Sequence, residues 1–250
     1  MNVVKLVVIT LLGLLLSACA ANSADPMIAF QGQSATQVYQ RAKTALAAGH
    51  YEQAIKAYEA LAVIYPFTPY SERAQLELAY SYYQENNSTA AQSTLNHFIQ
   101  LYPRSRWIDY AYYLNAVVNM DQDRGWYLRY VPIDVALRDP GSMRQAYNDF
   151  DQFIRRFPQS RYVPDARQRL IYLRNTFAEY ELQIADYYFR RKAYIAAANR
   201  AKDVVRNYQG APAVEKALLL LIKSYRNLGL DDLATQSIAV YRLNFPGHPF

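Results

Sequence analysis

The chain repeats itself with a period of 37 residues. The repeated pattern is an alanine, a large apolar residue shortly after it, and an aromatic-proline step. It occurs first as Ala54, Tyr58 and Tyr65-Pro66 and returns 37 positions later as Ala91, Leu95 and Tyr102-Pro103. Three further copies are present: Ala146, Phe150 and Phe157-Pro158; Ala197, Val204 and Tyr208-Gln209; Ala234 and Phe245-Pro246. Periods of this size indicate units that bury their apolar faces by stacking, so the sequence predicts a repeat architecture.

Each unit is predicted to be a pair of antiparallel helices. Proline ends the second helix, and small residues in the first helix let the second approach closely: Ala42, Ala79, Ala116 and Ala185. The unit resembles the tetratricopeptide repeat of 34 residues with about three residues added in the turns. We therefore expect an all-α fold, a helical-repeat superhelix of about five tetratricopeptide-like helix pairs. The alternative is an unrelated helical bundle.

Two places break the period. The proline step lengthens from 37 to 55 residues between Pro103 and Pro158, which locates an aromatic and basic insertion at 121–141. We expect the insertion to fold over an edge of the solenoid. The second break, Pro164 to Lys192, has no internal Gly or Pro and predicts one continuous helix of roughly 40 Å. Its apolar stripe consists of Ala166, Leu170, Leu173, Phe177, Tyr180 and Ile184. We expect this helix to link an N-terminal half, 35–162, to a C-terminal half, 163–250.

The N-terminus is typical of an exported lipoprotein. Lys5 precedes an apolar run from Leu6 to Leu16, which is too short to span a membrane, and Ser17-Ala18 supply small residues before the single cysteine, Cys19. Leu16 to Cys19 resembles the bacterial lipobox, so we predict a signal peptide at 1–18 and acylation of Cys19, for example with palmitate. The alternative is a plain secretory signal. Residues 19–34 are expected to form a lipidated N-terminus and flexible tether.

That resemblance also implies a location. Ala20 follows the cysteine where inner-membrane lipoproteins typically have aspartate, so we expect a lipid anchor at the periplasmic face of the outer membrane of a Gram-negative bacterium. Acylation of Cys19 leaves no thiol for a disulfide.

No enzymatic site is predicted. His50, His97 and His248 fall in different repeats without metal-ligand spacing. Glu179 and Glu181 are two positions apart on a helix and face different directions. The net charge of +6 is scattered along the chain with no basic run, which argues against nucleic acid. We expect no cofactor and no metal.

A peptide groove is predicted in the first two repeats. In a tetratricopeptide superhelix the first helix of each pair lines the concave face, which places Thr36, Tyr39, Lys43 and Leu46 there, followed by Arg73, Leu76, Tyr80 and Tyr83. Tyrosines offer flat contact area with a polar tip, and Lys43 or Arg73 can pair with a carboxylate. The alternative is that these tyrosines pack the repeats against each other.

Several motifs together resemble one family, the BamD lipoproteins of the β-barrel assembly machinery, over essentially all of the mature chain. The more specific ones are Tyr65-Pro66-Phe67-x-Pro69-Tyr70 and, in the insertion, Asp134 with Arg138-Asp139-Pro140. The others are Ile108-Asp109-Tyr110, Asp149-Phe150, Arg169-Leu170-x-x-Leu173 and Asn199-Arg200.

The resemblance implies a non-enzymatic role in folding and inserting outer-membrane proteins. Its expected partners are the periplasmic domains of BamA, accessory lipoproteins such as BamC and BamE, and unfolded outer-membrane protein chains. The N-terminal repeats are expected to recognise substrate and the C-terminal repeats to bind BamA, with Arg200 as a BamA contact. The alternative is another tetratricopeptide lipoprotein, either a secretin pilotin or a coordinator of peptidoglycan synthesis.

Overall fold

The structure, a computed structural model, describes residues 28–122 and 141–248. The predicted signal peptide, Cys19 and residues 123–140 of the insertion, which include Asp134, Arg138, Asp139 and Pro140, lie outside the described residues. The described part contains ten α-helices and one short 3-10 helix at Ile28–Phe30, and no strand.

The ten helices form five consecutive pairs, which confirms the predicted all-α repeat fold. They are α1 (Ala35–Ala47) and α2 (Tyr51–Ile64), α3 (Ser71–Gln84) and α4 (Ser88–Leu101), α5 (Ile108–Asp121) and α6 (Gly141–Arg156), α7 (Val163–Arg190) and α8 (Tyr194–Asn207), and α9 (Ala213–Asn227) and α10 (Asp231–Asn244). Four pairs have a connection of three residues, which requires the two helices to run antiparallel.

The middle residue of each three-residue turn adopts the left-handed backbone conformation. The φ angles are +75° at Gly49, +59° at Asn86, +61° at Lys192 and +70° at Gly229. This conformation ends a helix and reverses the chain, and glycine adopts it at no steric cost. Lys192 keeps the geometry without glycine, so the 37-residue period is set by the backbone turn and not by one residue type.

Alanine brings the paired helices together as predicted. Ala42, Ala79, Ala116 and Ala185 in the first helices are fully buried. The alanines of the second helices and the large residues after them are also buried: Ala54, Tyr58, Ala91, Leu95, Ala146, Phe150, Ala197, Val204 and Ala234. The small residues of the first helices and the repeated residues of the second helices are therefore core residues, as the repeat pattern predicts.

The aromatic-proline steps share one hydrogen-bonded turn. The N–H groups of Tyr70, Trp107 and Tyr162 donate to a hydroxyl two residues earlier, on Thr68, Ser105 and Ser160 respectively. In each turn the hydroxyl residue's carbonyl also accepts from the N–H three residues later, at Ser71, Ile108 and Val163. The step thus closes one helix pair and starts the next in a fixed direction.

The chain divides into two compact units, residues 1–94 and 95–250. The core of the first unit surrounds Val38, Tyr58 and Leu61. The second contains a C-terminal core around Leu221 and Tyr241, and the long helix α7 lies within this unit. The functional boundary at 162/163 remains a prediction.

Helix α7 is one uninterrupted helix of 28 residues, which confirms the predicted continuous helix. It packs against α6, α8 and α9. Leu173 and Phe177 of the predicted stripe are buried, whereas Tyr180 and Ile184 are only half-buried. Beyond Phe177 the buried stripe continues through Ala178, Leu182 and Ala185, because α7 there meets the next helix pair.

Candidate partner-binding surfaces

The predicted N-terminal groove residues divide into buried and accessible positions. Tyr39 on α1 and Leu76 on α3 are each only 4% exposed. The Tyr39 ring stacks on Tyr70 with centroids 4.6 Å apart and lies 6.3 Å from the Tyr58 ring. Tyr39 and Leu76 therefore pack the first unit and present little surface to a partner.

Glu77 is the polar centre of this region. Its carboxylate accepts a 2.8 Å hydrogen bond from the buried Tyr58 hydroxyl and a 2.9 Å charge-assisted bond from Arg73 Nε. The Glu77 side chain is 16% exposed, whereas Arg73 is 52% exposed. Arg73 is therefore held by its own chain on one edge while its other guanidinium edge faces solvent.

The same carboxylate makes the neighbouring phenols hard to ionise. Burial, with the negative charge of Glu77 as the next cause, raises the pKa of Tyr39 to about 12. The same two causes raise the pKa of Tyr58 further. Both hydroxyls stay protonated at physiological pH and act as donors to this carboxylate.

The accessible groove positions lie around this centre. Lys43 is half-buried, and its Nζ lies 5.8 Å from the centre of the Tyr39 ring. Tyr80 and Tyr83 are half-buried, with ring centroids 6.3 Å apart. Together with Arg73 they offer two cations and two aromatic rings, which suits a chain segment that carries a carboxylate and an aromatic side chain.

The Tyr65–Tyr70 motif forms a braced turn at the edge of the first unit. The Tyr65 hydroxyl donates to the Gln33 carbonyl, and the Ser71 hydroxyl donates to the Pro66 carbonyl at 2.9 Å. Phe67 projects from this turn with 98% of its surface exposed. An aromatic ring held in water by an ordered turn contributes nothing to the unit's own core.

Arg200 on α8 is paired within the second unit. Its Nη1 donates to Glu181 Oε2 on α7 at 2.8 Å, and Arg144 Nη2 on α6 lies 3.9 Å from the other carboxylate oxygen. The Glu181 side chain is 11% exposed, whereas Arg200 is 44% exposed. Hydrogen bonding to Glu181, with its negative charge as the next cause, raises the pKa of Arg200.

Glu181 therefore stands between two arginines that hold it in the fold. The Arg144 guanidinium also lies 5.5 Å from the centre of the Phe177 ring, one turn before Glu181 on α7. Because the Arg200 side chain is 44% exposed, its second guanidinium edge is accessible to a carboxylate from outside.

Sequence reasoning missed both organising carboxylates. Glu77 follows Arg73 by four positions, a spacing that indicates a helical ion pair. Glu181 lies on the buried stripe of α7, one turn after Phe177, and a carboxylate on such a stripe requires a basic partner on an adjacent helix. Both signals were available in the sequence, whereas the identity of the Glu181 partners came only from the packing of α6 and α8.

The described residues, 28–122 and 141–248, contain neither a candidate metal site nor a candidate membrane-spanning helix. They contain no group of three histidine, cysteine or acidic side chains placed to hold a metal ion. No helix among them is both long and apolar enough to cross a bilayer.

Comparison with known proteins identifies the family of this chain. The family model "YfiO: Outer membrane lipoprotein" matches residues 31–240. A protein of Neisseria meningitidis serogroup A, named outer membrane protein assembly factor BamD, is 35% identical over 98% of this chain and 93% of its own length. The protein of the same name from Vibrio cholerae serotype O1 is 37% identical over 84% of this chain and 87% of its length.

Among solved structures, a thermophilic TPR protein of Thermus thermophilus is similar, with 16% identity, a TM-score of 0.37, and coverage of 86% of this chain and 93% of that one. The family assignment rests on the sequence matches, which extend through both compact units. The chain belongs to the YfiO family of outer membrane lipoproteins.

Proposed function

We propose that this chain is a non-enzymatic assembly factor for outer membrane proteins, a scaffold and recognition subunit of the β-barrel assembly machinery. The observation that carries this proposal is the 35% identity to the meningococcal assembly factor BamD over 98% of the chain. An acylated Cys19 anchors the chain at the periplasmic face of the outer membrane. The alternative functions, a secretin pilotin or a coordinator of peptidoglycan synthesis, have no similar support.

The second unit provides the surface for BamA. Arg200 has an exposed guanidinium edge beside the buried Glu181, and this edge suits a partner carboxylate. Because Glu181 fixes one edge of the guanidinium, the other edge is already oriented for a second carboxylate. Accessory lipoproteins such as BamC and BamE are further partners.

The experiment is affinity purification of the full lipidated chain from gently solubilised membranes, with identification of the co-purifying proteins. The variant to test is Arg200→Gln. A charge reversal, Arg200→Glu, would place a second carboxylate beside Glu181 inside the fold and disturb the fold itself. The glutamine amide can still donate to Glu181. The matched control is Glu181→Gln, which breaks the internal ion pair and leaves Arg200 charged.

We expect Arg200→Gln to reduce recovery of BamA about tenfold or more, the effect of losing one charge-assisted hydrogen bond, while Glu181→Gln retains it. Equal losses in both variants would show that the pair acts only through the fold. Recovery of a secretin or a peptidoglycan synthase in place of a β-barrel protein with periplasmic domains would refute the assembly function itself.

The first unit provides the surface for unfolded outer-membrane protein chains. Lys43, Arg73, Tyr80 and Tyr83 supply the cations and rings, and a segment that ends in an aromatic residue and a free carboxylate matches them. The test measures binding of a labelled peptide that ends in phenylalanine to the full chain.

We expect Lys43→Gln to weaken this binding several-fold, because one cation that water can reach contributes about 1 kcal/mol or less. The peptide with an amidated C-terminus should bind the unaltered chain with similarly reduced affinity. If the amidated peptide binds as tightly as the free acid, the carboxylate is not what this surface recognises.

A further inference from the structure

Positive charges that are scattered in the sequence come together in the second unit. The turn before α5 reads Tyr102-Pro103-Arg104-Ser105-Arg106-Trp107, and the turn before α7 reads Phe157-Pro158-Gln159-Ser160-Arg161-Tyr162. Both turns place an arginine between the hydroxyl residue and the aromatic residue that starts the next helix.

The two turns lie side by side. The Ser160 hydroxyl donates to Asp109 Oδ2 at 2.6 Å, which joins the second turn to the first turn of α5. The rings of Tyr110 and Tyr162 have centroids 5.3 Å apart. The arginines of both turns therefore share one edge of the unit.

Each of three arginines is laid over an aromatic ring. Arg106 Cζ lies 4.2 Å from the centre of the Trp107 ring, and Arg161 Cζ lies 4.9 Å from that of Tyr162. Arg156 Cζ lies 4.7 Å from the Tyr112 ring, and its Nη1 donates to the hydroxyl of that tyrosine at 2.9 Å. Stacking orders the guanidinium groups and leaves their charge at the surface.

No described carboxylate forms an ion pair with these arginines or with Arg104, and all four are exposed. Asp109 is the acidic group at this edge; it accepts from Ser160 and from the N–H of Tyr110, and its negative charge also acts on Arg161. Leu101, 55% exposed, immediately precedes the first turn. We call Leu101, Arg104, Arg106, Trp107, Arg156 and Arg161 the arginine edge.

We infer that the arginine edge rests on an anionic phospholipid surface. This inference rests on the proposed function, in which a lipid anchor keeps the chain at a membrane. It adds which side chains contact that membrane. Arginines supply attraction to phosphate headgroups, and tryptophan with a neighbouring leucine supplies the amphipathic contact that suits the interface.

The shape of the edge favours a lipid surface over an acidic polypeptide. The edge consists of two turns and the last residues of the helices that precede them, all with exposed arginines, and a planar bilayer can meet it without a groove. Attraction between several arginines and an anionic surface adds up without fixed partner geometry, whereas an acidic segment needs carboxylates at matching positions.

The experiment uses the full lipidated chain reconstituted into vesicles. The chain has two tryptophans, Trp107 and Trp126, so Trp126→Phe leaves Trp107 as the only tryptophan reporter. Its fluorescence is measured in vesicles of brominated phosphatidylcholine and in vesicles that also contain brominated phosphatidylglycerol, so that both carry the bromine that quenches tryptophan on contact. Flotation with the phosphatidylcholine vesicles reports the lipid anchor separately.

We expect Trp107 to be quenched only in the anionic vesicles, and the quenching to fall as salt is raised. Replacing Arg104, Arg106 and Arg161 with Gln should lower the population of the contacting state about 100-fold and abolish the quenching. A control that removes three positive charges elsewhere in the unit, from Arg190, Lys202 and Arg242, should retain it.

Flotation with unquenched Trp107 would overturn the inference while leaving the lipid anchor intact. Quenching that survives the three-arginine variant would overturn it as well. A glutamate-rich peptide is the competing probe: if it perturbs Trp107 where anionic vesicles do not, the arginine edge is a protein interface. Failure to float on neutral vesicles would count against the anchor and not against the edge.

Discussion

The pair between Arg200 and Glu181 should contribute measurably to the stability of the second unit. Replacing Arg200 with Ala leaves the Glu181 carboxylate, 11% exposed, with only Arg144 at 3.9 Å. Removing one partner of a fully buried pair costs about 3–5 kcal/mol, because the remaining charge stays buried without compensation. Arg200 is 44% exposed, so water can replace part of the lost interaction, and we expect a cost of about 2 kcal/mol.

Two amide variants, Arg200→Gln and Glu181→Gln, measure how much of this free energy comes from the interaction between the two side chains. Arg200→Gln keeps a donor beside Glu181, and Glu181→Gln removes the buried charge but keeps an acceptor, so each should cost about 1 kcal/mol. The double variant should cost about the same as either single change, since the interaction can be lost only once. A coupling energy of about 1 kcal/mol is therefore expected.

The assay is thermal and urea unfolding of the unaltered chain and these variants, followed by circular dichroism. For a chain of this size about 1 kcal/mol corresponds to roughly 2–4 °C in Tm, so Arg200→Ala should lower Tm by about 4–8 °C. If the two amide variants add independently, with a coupling energy below about 0.3 kcal/mol, the 2.8 Å pair contributes nothing specific and the reasoning fails.

Three further predictions concern the backbone and the buried phenols. Lys192→Gly should raise the free energy of unfolding by about 1 kcal/mol because glycine adopts the left-handed conformation without strain. Gly229→Ala should lower it by a similar amount because alanine is strained at φ +70°, and no clash adds to this cost since the new Cβ meets no atom within 4 Å. Tyr58→Phe should destabilise by roughly 1–2 kcal/mol in urea unfolding because Glu77 loses a buried donor, and an unchanged midpoint would contradict this. Tyr39, with its pKa raised to about 12, keeps its proton in the fold when the unfolded chain has lost it, so stability should fall between pH 10 and 12. Tyr39→Phe should make that fall less steep but not remove it, because burial also raises the pKa of Tyr58, Tyr82 and Tyr113.

The sequence predicted the repeat fold because its period is a direct consequence of packing. Each helix pair must bury small and large residues together, and Ala42 and Tyr58 are buried in the same core in the first repeat. The long helix α7 followed from the absence of Gly and Pro over 165–192. These inferences use only local residue type and spacing, which do not depend on knowing where other repeats lie.

The sites were harder to predict because they depend on contacts between elements. Tyr39 occupies a groove position by counting, yet it is buried, because Tyr70 from the following turn stacks on it. Arg200 has an ordinary surface-helix sequence, and its buried partner Glu181 is 19 positions earlier on another helix. The arginine edge could not be predicted because its members lie in and just before two turns, 55 residues apart in sequence, that the helix pair α5 and α6 brings together.

Both predicted contact arginines are already bound to a carboxylate of their own chain, Arg73 to Glu77 and Arg200 to Glu181. A partner carboxylate that replaced the internal one would exchange one ion pair for another, and the net electrostatic gain would be small. A partner that instead uses the exposed guanidinium edge keeps the internal bond and meets a group whose orientation is already fixed. The arginines would then select a partner with a carboxylate in the right place, while apolar and aromatic contacts supply most of the affinity. The isosteric Glu181→Gln variant separates these cases: it should strengthen partner binding if the internal bond must break, and leave it unchanged or weaken it slightly if that bond orients Arg200.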